Sequence, residues 1–314
     1  MLLFLYDVNT FSESCCTQSK TKKTGQEDMT QPLSRHRHIS FTAHYTGYIW
    51  YQMGISNPIF ATSKGKFLAK LVHPLEAWAE RHVGGSMRST LKQRHRMIDE
   101  HLYQLLAQHP KLQVLEIACG LSPRGWNFRQ KFRNLVYREL DLPEIARVKT
   151  QALQQLDPNS PAVLSADIFS AEFAQVFQQF DLNSPLVVIS EGLINYFDQP
   201  LLSQLFKAIH QYGQSFPEIH YLSDLYPEPV KNKLAHIIWS SSKLLKFMSR
   251  SAFSFHFTRP SEAQQFLRHA GFENVHVLQP QLYFQVENSQ TSSEEHLGDL
   301  VWMLHAYSKS QSSS

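Results

Sequence analysis

Val114-Leu115-Glu116-Ile117-Ala118-Cys119-Gly120 is an apolar run that ends in small residues and a glycine. Residues 112–118 read as a buried strand, and a helix-length segment follows the turn. Small residues let a ligand approach the backbone, and the N-terminus of a following helix offers unpaired N–H groups. The phosphate fingerprint Gly-x-Gly-x-x-Gly is incomplete: Ala118 holds the first place, Gly120 the second, and Gly125 comes one residue late. No Lys-Ser/Thr pair follows, so phosphate cradling is weakly supported.

Working outward, short apolar runs recur at residues 136–140, 162–165, 186–190 and 219–222. Helical patterns lie between them at 130–134, 143–156, 171–179 and 199–212. Strand–helix alternation predicts an α/β, Rossmann-like fold: a parallel sheet covered on both faces, which binds its ligand at the C-terminal ends of the strands. Two further strands are expected at 275–278 and 301–307, after a helix at 259–270 closed by Gly271.

Residues 1–37 are rich in Ser, Thr, Gln and Lys without an apolar period and read as a disordered tail, with Met29 an alternative start. Residues 38–110 form an N-terminal helical cap. Its aromatic residues Phe41, Tyr45 and Tyr48 share one helical face, which suits either core packing or a lid over an apolar substrate. A long amphipathic helix covers 91–106, with Met97, Ile98, Leu102, Leu105 and Leu106 on its stripe and Arg94, Arg96, Asp99 and Glu100 off it. The catalytic-size domain spans 111–308, with a helical insertion at about 228–258, and 309–314 is a second disordered tail.

The 314 residues carry 30 Lys+Arg against 27 Asp+Glu, a net charge of +3, which gives no electrostatic case for nucleic acid. The three cysteines, Cys15, Cys16 and Cys119, form no Cys-x-x-Cys pair, so neither a zinc ribbon nor a disulfide framework is expected. The chain reads as cytoplasmic, with no membrane span. The 16 histidines are scattered, and no metal is expected.

Acidic residues close three more strands. Asp141, about twenty residues after the glycine turn, suits the two hydroxyls of a ribose, or caps the helix that Leu142-Pro143 begins. Asp167, with Ile168, suits an adenine edge, or caps a helix. Glu191 follows four apolar residues, where a carboxylate is costly to bury without a partner, and a cationic ligand would serve. Val188 stands where a nucleophile elbow would need glycine, which argues against a serine hydrolase.

Together these phrases resemble the class I S-adenosylmethionine-dependent methyltransferases, and more closely the leucine carboxyl methyltransferase and polyketide O-methyltransferase group. The phrases are Leu115-Glu-Ile-Ala-Cys-Gly-Leu-Ser-Pro-Arg-Gly125, Glu139-Leu-Asp-Leu-Pro143 with Lys149 beyond, and Glu191-Gly-Leu-Ile-Asn-Tyr196. The resemblance implies a seven-stranded sheet, mostly parallel, with an antiparallel last strand. It implies S-adenosyl-L-methionine as cofactor. Glu116, Ala118 and Gly120 would line its methionine part, Asp141 hold the ribose, and Asp167 with Ile168 the adenine. Glu191 would lie near the amine or sulfonium. Arg88, or Arg94 as second choice, would bind the carboxylate. Tyr196 matches a tyrosine near the transferred methyl, the one catalytic candidate. Ala118 stands where glycine is usual, and its small size makes the exchange tolerable.

The function expected is O-methylation of a small-molecule carboxylate or hydroxyl. A carboxylate acceptor needs no general base, whereas a hydroxyl does. His44, His73, His220 and His256 are candidates by type. The alternatives are a non-catalytic relative that binds cofactor or a partner, and a nicotinamide-dependent oxidoreductase.

Overall fold

The computed structural model describes residues 39–83, 87–228, 254–279 and 301–310. The expected tail at 1–37 and most of the insertion at 228–258 lie outside them.

The cap is built from helices α1 (Ile39–Gln52), α2 (Ser63–Val83) and α3 (Met87–Gln108), with a 3-10 turn at Pro58–Phe60. Tyr45 is buried with Ile49, Leu68, Ala69, Val72 and Leu91, and Tyr48 packs against this group. Tyr45 and Tyr48 therefore pack the cap itself. The side chain of Phe41 lies outside the described set.

Seven strands follow: β1 (Gln113–Ile117), β2 (Tyr137–Asp141), β3 (Leu164–Ser165), β4 (Leu186–Ser190), β5 (Glu218–Leu225), β6 (Asn274–Leu278) and β7 (Trp302–Lys309). They form one sheet in the order β3-β2-β1-β4-β5-β7-β6. The first five run parallel, and β7 lies antiparallel between β5 and β6. β7 reaches Lys309, one residue past the expected end of the domain.

Helices α4 (Arg124–Lys131), α5 (Pro143–Leu156), α6 (Glu172–Phe177), α7 (Gln199–Gly213) and α8 (Pro260–His269), with a second 3-10 turn at Ile194–Tyr196, complete the described elements. The helix expected at 130–134 is displaced. Helix α4 begins straight after the glycine turn and ends at Lys131, so the parallel crossover from β1 starts at once. Pro143 supplies the fixed φ of a first helical turn to α5, which buries Ile145, Ala146, Ala152 and Leu153 on one stripe.

The core lies on both sheet faces. Leu115, Ile117, Leu186, Val188, Ile219 and Tyr221 join the α6–α7–α8 side. Val114, Val187, Ile189 and Leu222 join Met97, Ile98, Leu102 and Leu105 of α3 on the other. This is the alternation expected of strands buried on both faces. Among the described residues, no helix is long and apolar enough to cross a membrane.

Candidate active site

Strand order reverses between β1 and β4, the position where an open α/β sheet leaves a crevice at its C-terminal edge. A cleft opens there. Its polar wall is Asp141 and Asp167, beside Ala118. Its apolar wall is Ala166, Ile168, Leu193 and Phe197. Four of the expected cofactor residues, Ala118, Asp141, Asp167 and Ile168, are thus brought to one place from three different strand ends.

The turn after β1 is shaped by its backbone. Ala118 and Gly120 both have left-handed φ, at 48° and 51°. The glycine usual at the Ala118 position therefore serves conformation as well as space, because a β-carbon is strained in that region. Gly120 N–H donates to Asp141 Oδ2 at 2.7 Å and Leu142 N–H donates to Asp141 Oδ1 at 2.7 Å. Asp141 therefore ties two strand ends together and does not cap α5, whose N-cap position is Leu142, without a side-chain cap bond. Burial pushes the Asp141 carboxyl up to about 6, against the two backbone N–H groups that favour its charged form. Each of its oxygens keeps a further lone pair for a ligand hydroxyl. Asp167 Oδ1 accepts from Phe169 N–H at 2.9 Å, closing a local turn ahead of α6, whose N-cap position is Ala171.

Glu116 and Glu191 lie in a buried ion network beside this cleft. Arg124, with no exposed side-chain surface, donates to Glu116 Oε1 (2.8 Å), Glu191 Oε2 (2.6 Å) and Asp99 Oδ1 (2.5 Å). Arg94 donates to Glu191 Oε1 (2.9 Å) and Asp224 Oδ2 (3.3 Å). His95 Nδ1 lies 2.8 Å from Glu191 Oε2, and Tyr137 OH donates to Glu116 Oε2 at 2.9 Å. Burial opposes ionisation of Glu191, yet His95, Arg124 and Arg94 outweigh it and hold the carboxyl well below its usual range. The cation that Glu191 needs is thus supplied by the protein.

Between the two arginine candidates, Arg94 enters this network, while Arg88 stands half-buried in the first turn of α3. Arg94 is itself only 7% exposed, so its place off the apolar stripe does not put it in solvent. Tyr196 sits in the 3-10 turn Ile194–Tyr196 and hydrogen-bonds to Thr42. Burial raises its phenol pKa, against the nearby Arg94, so the hydroxyl stays protonated.

A second buried set stands behind the turn. Lys149 Nζ reaches Glu139 Oε1 at 2.7 Å, and Arg129 Nη1 reaches Glu139 Oε2 at 2.8 Å. Lys149 also donates to the Cys119 carbonyl at 3.3 Å, which braces the turn from below.

Of the histidines named by type, His44 bonds to Thr62 at 2.9 Å and His73 is exposed. His220 lies toward the start of β5, away from the cleft. His256 hydrogen-bonds to the backbone of Phe197 and Ile194, beside the cleft wall.

The residues that the motifs miss are Arg124, His95, Asp99, Asp224 and Tyr226, whose hydroxyl accepts from Arg94 Nη1 at 3.2 Å. Arg124 stands in plain view in Ser122-Pro123-Arg124-Gly125, but nothing local shows that a charged side chain there is wholly buried.

This sheet order and this cleft define a class I methyltransferase fold. The chain matches the leucine carboxyl methyltransferase family over residues 20–210 and belongs to that family. The family is S-adenosylmethionine-dependent, which makes that molecule the cofactor. No curated protein sequence matches the chain.

Among solved structures, the chain is similar to a protein from Thermobifida fusca YX assigned as a methyltransferase. Identity is 14% with a TM-score of 0.60, over 90% of this chain and 100% of that one. It is also similar to an assigned O-methyltransferase from Nostoc punctiforme PCC 73102, at 14% identity and TM-score 0.47, over 90% of this chain and 75% of that one. PigF with SAH matches at 11% identity and TM-score 0.43 over 64% of this chain, which spans 51% of PigF.

Proposed function

We propose that the chain transfers the methyl group of S-adenosylmethionine to an oxygen of a small molecule, a carboxylate first and a hydroxyl second. The observation that carries this reading is the cleft itself. Asp141 and Asp167 are held at adjacent strand ends, and apolar side chains face them. That acceptor set fits a nucleoside: ribose hydroxyls donate to Asp141, and the adenine lies against Ile168 with its edge toward Asp167. Ala118 and Gly120 leave the backbone open to the methionine part.

The ion network suits a cationic ligand. Four carboxyl groups (Asp99, Glu116, Glu191, Asp224) meet two guanidiniums (Arg94, Arg124) and the imidazole of His95, so the acids outnumber the bases even with His95 counted. The imbalance leaves a negative field beside the cleft. Glu116 and Glu191 then act through that field, and Arg94, Arg124 and Tyr137 fix their orientation.

When bound, the cofactor supplies an electrophilic methyl on a sulfonium. The chain's share is to align the acceptor oxygen with it and to exclude water. A carboxylate acceptor is already ionised at neutral pH, so no residue needs to take a proton, in keeping with a family named for carboxyl methylation. A hydroxyl acceptor needs a base, and His256 is the imidazole beside the cleft wall. Burial lowers its pKa, so it is neutral and able to accept a proton.

The test has two stages. Calorimetric titration with S-adenosylmethionine should show one site, lost in Asp141→Ala, with NADH giving no heat. Acceptor screening with methyl-labelled cofactor then separates products by treatment with mild base. Esters release labelled methanol and ethers do not. Cofactor binding with no transfer to any carboxylate or hydroxyl would leave the non-catalytic alternative.

A further inference from the structure

The N-terminal edge of the sheet, opposite the cleft, carries a second cluster. Glu218 opens β5, and His220, two residues on, faces the same side. His109 stands just past the C-terminus of α3. His109 Nδ1 lies 3.7 Å from Glu218 Oε2, and His220 Nε2 lies 3.6 Å from Glu218 Oε1. One donor atom from each of the three residues lies within 4.8 Å of the others. Both distances are too long for hydrogen bonds. They approach the ~3.3 Å that separates donor atoms around a tetrahedral ion with bonds of about 2.0 Å.

His220 Nε2 is buried without a hydrogen-bond partner, on a side chain 3% exposed. Its other nitrogen is tied into a relay. His220 Nδ1 lies 3.0 Å from His305 Nε2, and His305 Nδ1 lies 3.0 Å from His101 Nε2. Neutral imidazoles carry one N–H each, so the relay has two settings. In one, His220 Nε2 presents a lone pair to the Glu218 carboxylate, and two acceptors face each other with nothing between them. In the other, His220 Nε2 carries a hydrogen too far from Glu218 to be satisfied. A cation removes the clash of the first setting, in which the relay's last hydrogen falls on His101 Nδ1, buried without a hydrogen-bond partner.

Lys309 reaches Glu218 Oε1 only at 3.8 Å, on a side chain 67% exposed, and can swing away.

We propose that His109, Glu218 and His220 form a binding site for a divalent transition-metal ion of the zinc class. Two imidazoles and one carboxylate suit Zn²⁺, Ni²⁺ or Cu²⁺, whereas Mg²⁺ and Ca²⁺ prefer oxygen alone. His305 and His101 set the tautomer that turns the His220 lone pair outward, as partners of metal-bound histidines commonly do. His109, 24% exposed, gives the ion a path from solvent and leaves a position for water. The ion clips the end of α3 to the start of β5. This departs from the expectation of no metal drawn from the scattered histidines.

The full chain, stripped with a chelator, is titrated with Zn²⁺ by calorimetry and with Co²⁺ by visible absorption. His109→Ala and Glu218→Gln are the variants: His109 is partly exposed, Glu218→Gln keeps the shape of a mostly buried side chain, and neither residue belongs to the His220–His305–His101 relay. One equivalent of Zn²⁺ should bind and raise the Tm. Each variant should lose affinity by about tenfold or more and lose the visible bands of low-coordinate Co²⁺. Absence of stoichiometric binding, or equal binding by both variants, would overturn the site and place any bound ion on other histidines.

Discussion

Arg124 Nη2 lies 2.6 Å from Glu191 Oε2, joining the turn after β1 to the end of β4 across the sheet's switch point. Neither group touches water to any extent: Arg124 is 0% and Glu191 3% exposed at the side chain. Removing one member of such a pair strands the other charge in a low-dielectric interior. Arg124→Ala should therefore lower stability by about 3–5 kcal/mol in urea unfolding. The sign of the pH effect follows from Glu191. Its folded pKa is depressed, so its stabilisation is present above the unfolded value and lost as pH falls through the folded one. The variant should consequently unfold at higher pH than the parent in an acid titration; an unchanged acid limb would show that the pair contributes nothing.

Asp141 has the opposite sign. Its folded pKa is raised to about 6, so the stability it lends is greatest below the unfolded value and lost as pH rises through about 6. Ribose hydroxyls, as donors, favour the ionised form. Affinity for S-adenosylmethionine should therefore fall as pH drops below about 6, by up to tenfold per pH unit. Calorimetric Kd values between about pH 5 and pH 8 test this. A flat profile would remove Asp141 from the binding surface.

Ala118 is strained at φ 48°. Replacing it with glycine relieves about 1–2 kcal/mol of left-handed strain and adds about 0.5–1 kcal/mol of chain entropy. Ala118→Gly should be neutral to slightly stabilising, with cofactor binding kept. Ala118→Val should lose stability and, since residue 118 lines the cleft, cofactor affinity as well. Thermal unfolding with and without S-adenosylmethionine separates the two effects.

Gly125 faces the clamped carboxylate of Glu139. A β-carbon there would stand 2.5 Å from Glu139 Cδ and 2.6 Å from Oε1. Lys149 and Arg129 hold that carboxylate from both sides, so it has little room to give way. Gly125→Ala should cost about 1–3 kcal/mol, read as a lower urea midpoint at unchanged slope.

Much of this was written locally. The run 114–120, the acids Asp141 and Asp167 at or just past their strands and the helix start at Pro143 each announce themselves within a few residues. Period-two and period-3.6 patterns and turn residues act at short range. For that reason the strand at Leu186–Ser190 and the helix at Pro143–Leu156 stand at their expected limits. The chain therefore determined its α/β class, the limits of β4 and α5, and half of its cleft by sequence alone, while the limits of the other strands shifted by one to three residues.

Tertiary structure decided which charges are buried together. Arg94 and Arg96 are two residues apart on one helix, yet Arg94 is enclosed by Glu191 and Asp224, while the side chain of Arg96 is 54% exposed beside Glu100. Glu191 meets an arginine 67 residues away, and His109 faces Glu218 across more than a hundred. A carboxylate's partner depends on strand order and crossover, which bring distant segments within a few ångströms. Local periodicity carries no record of that distance.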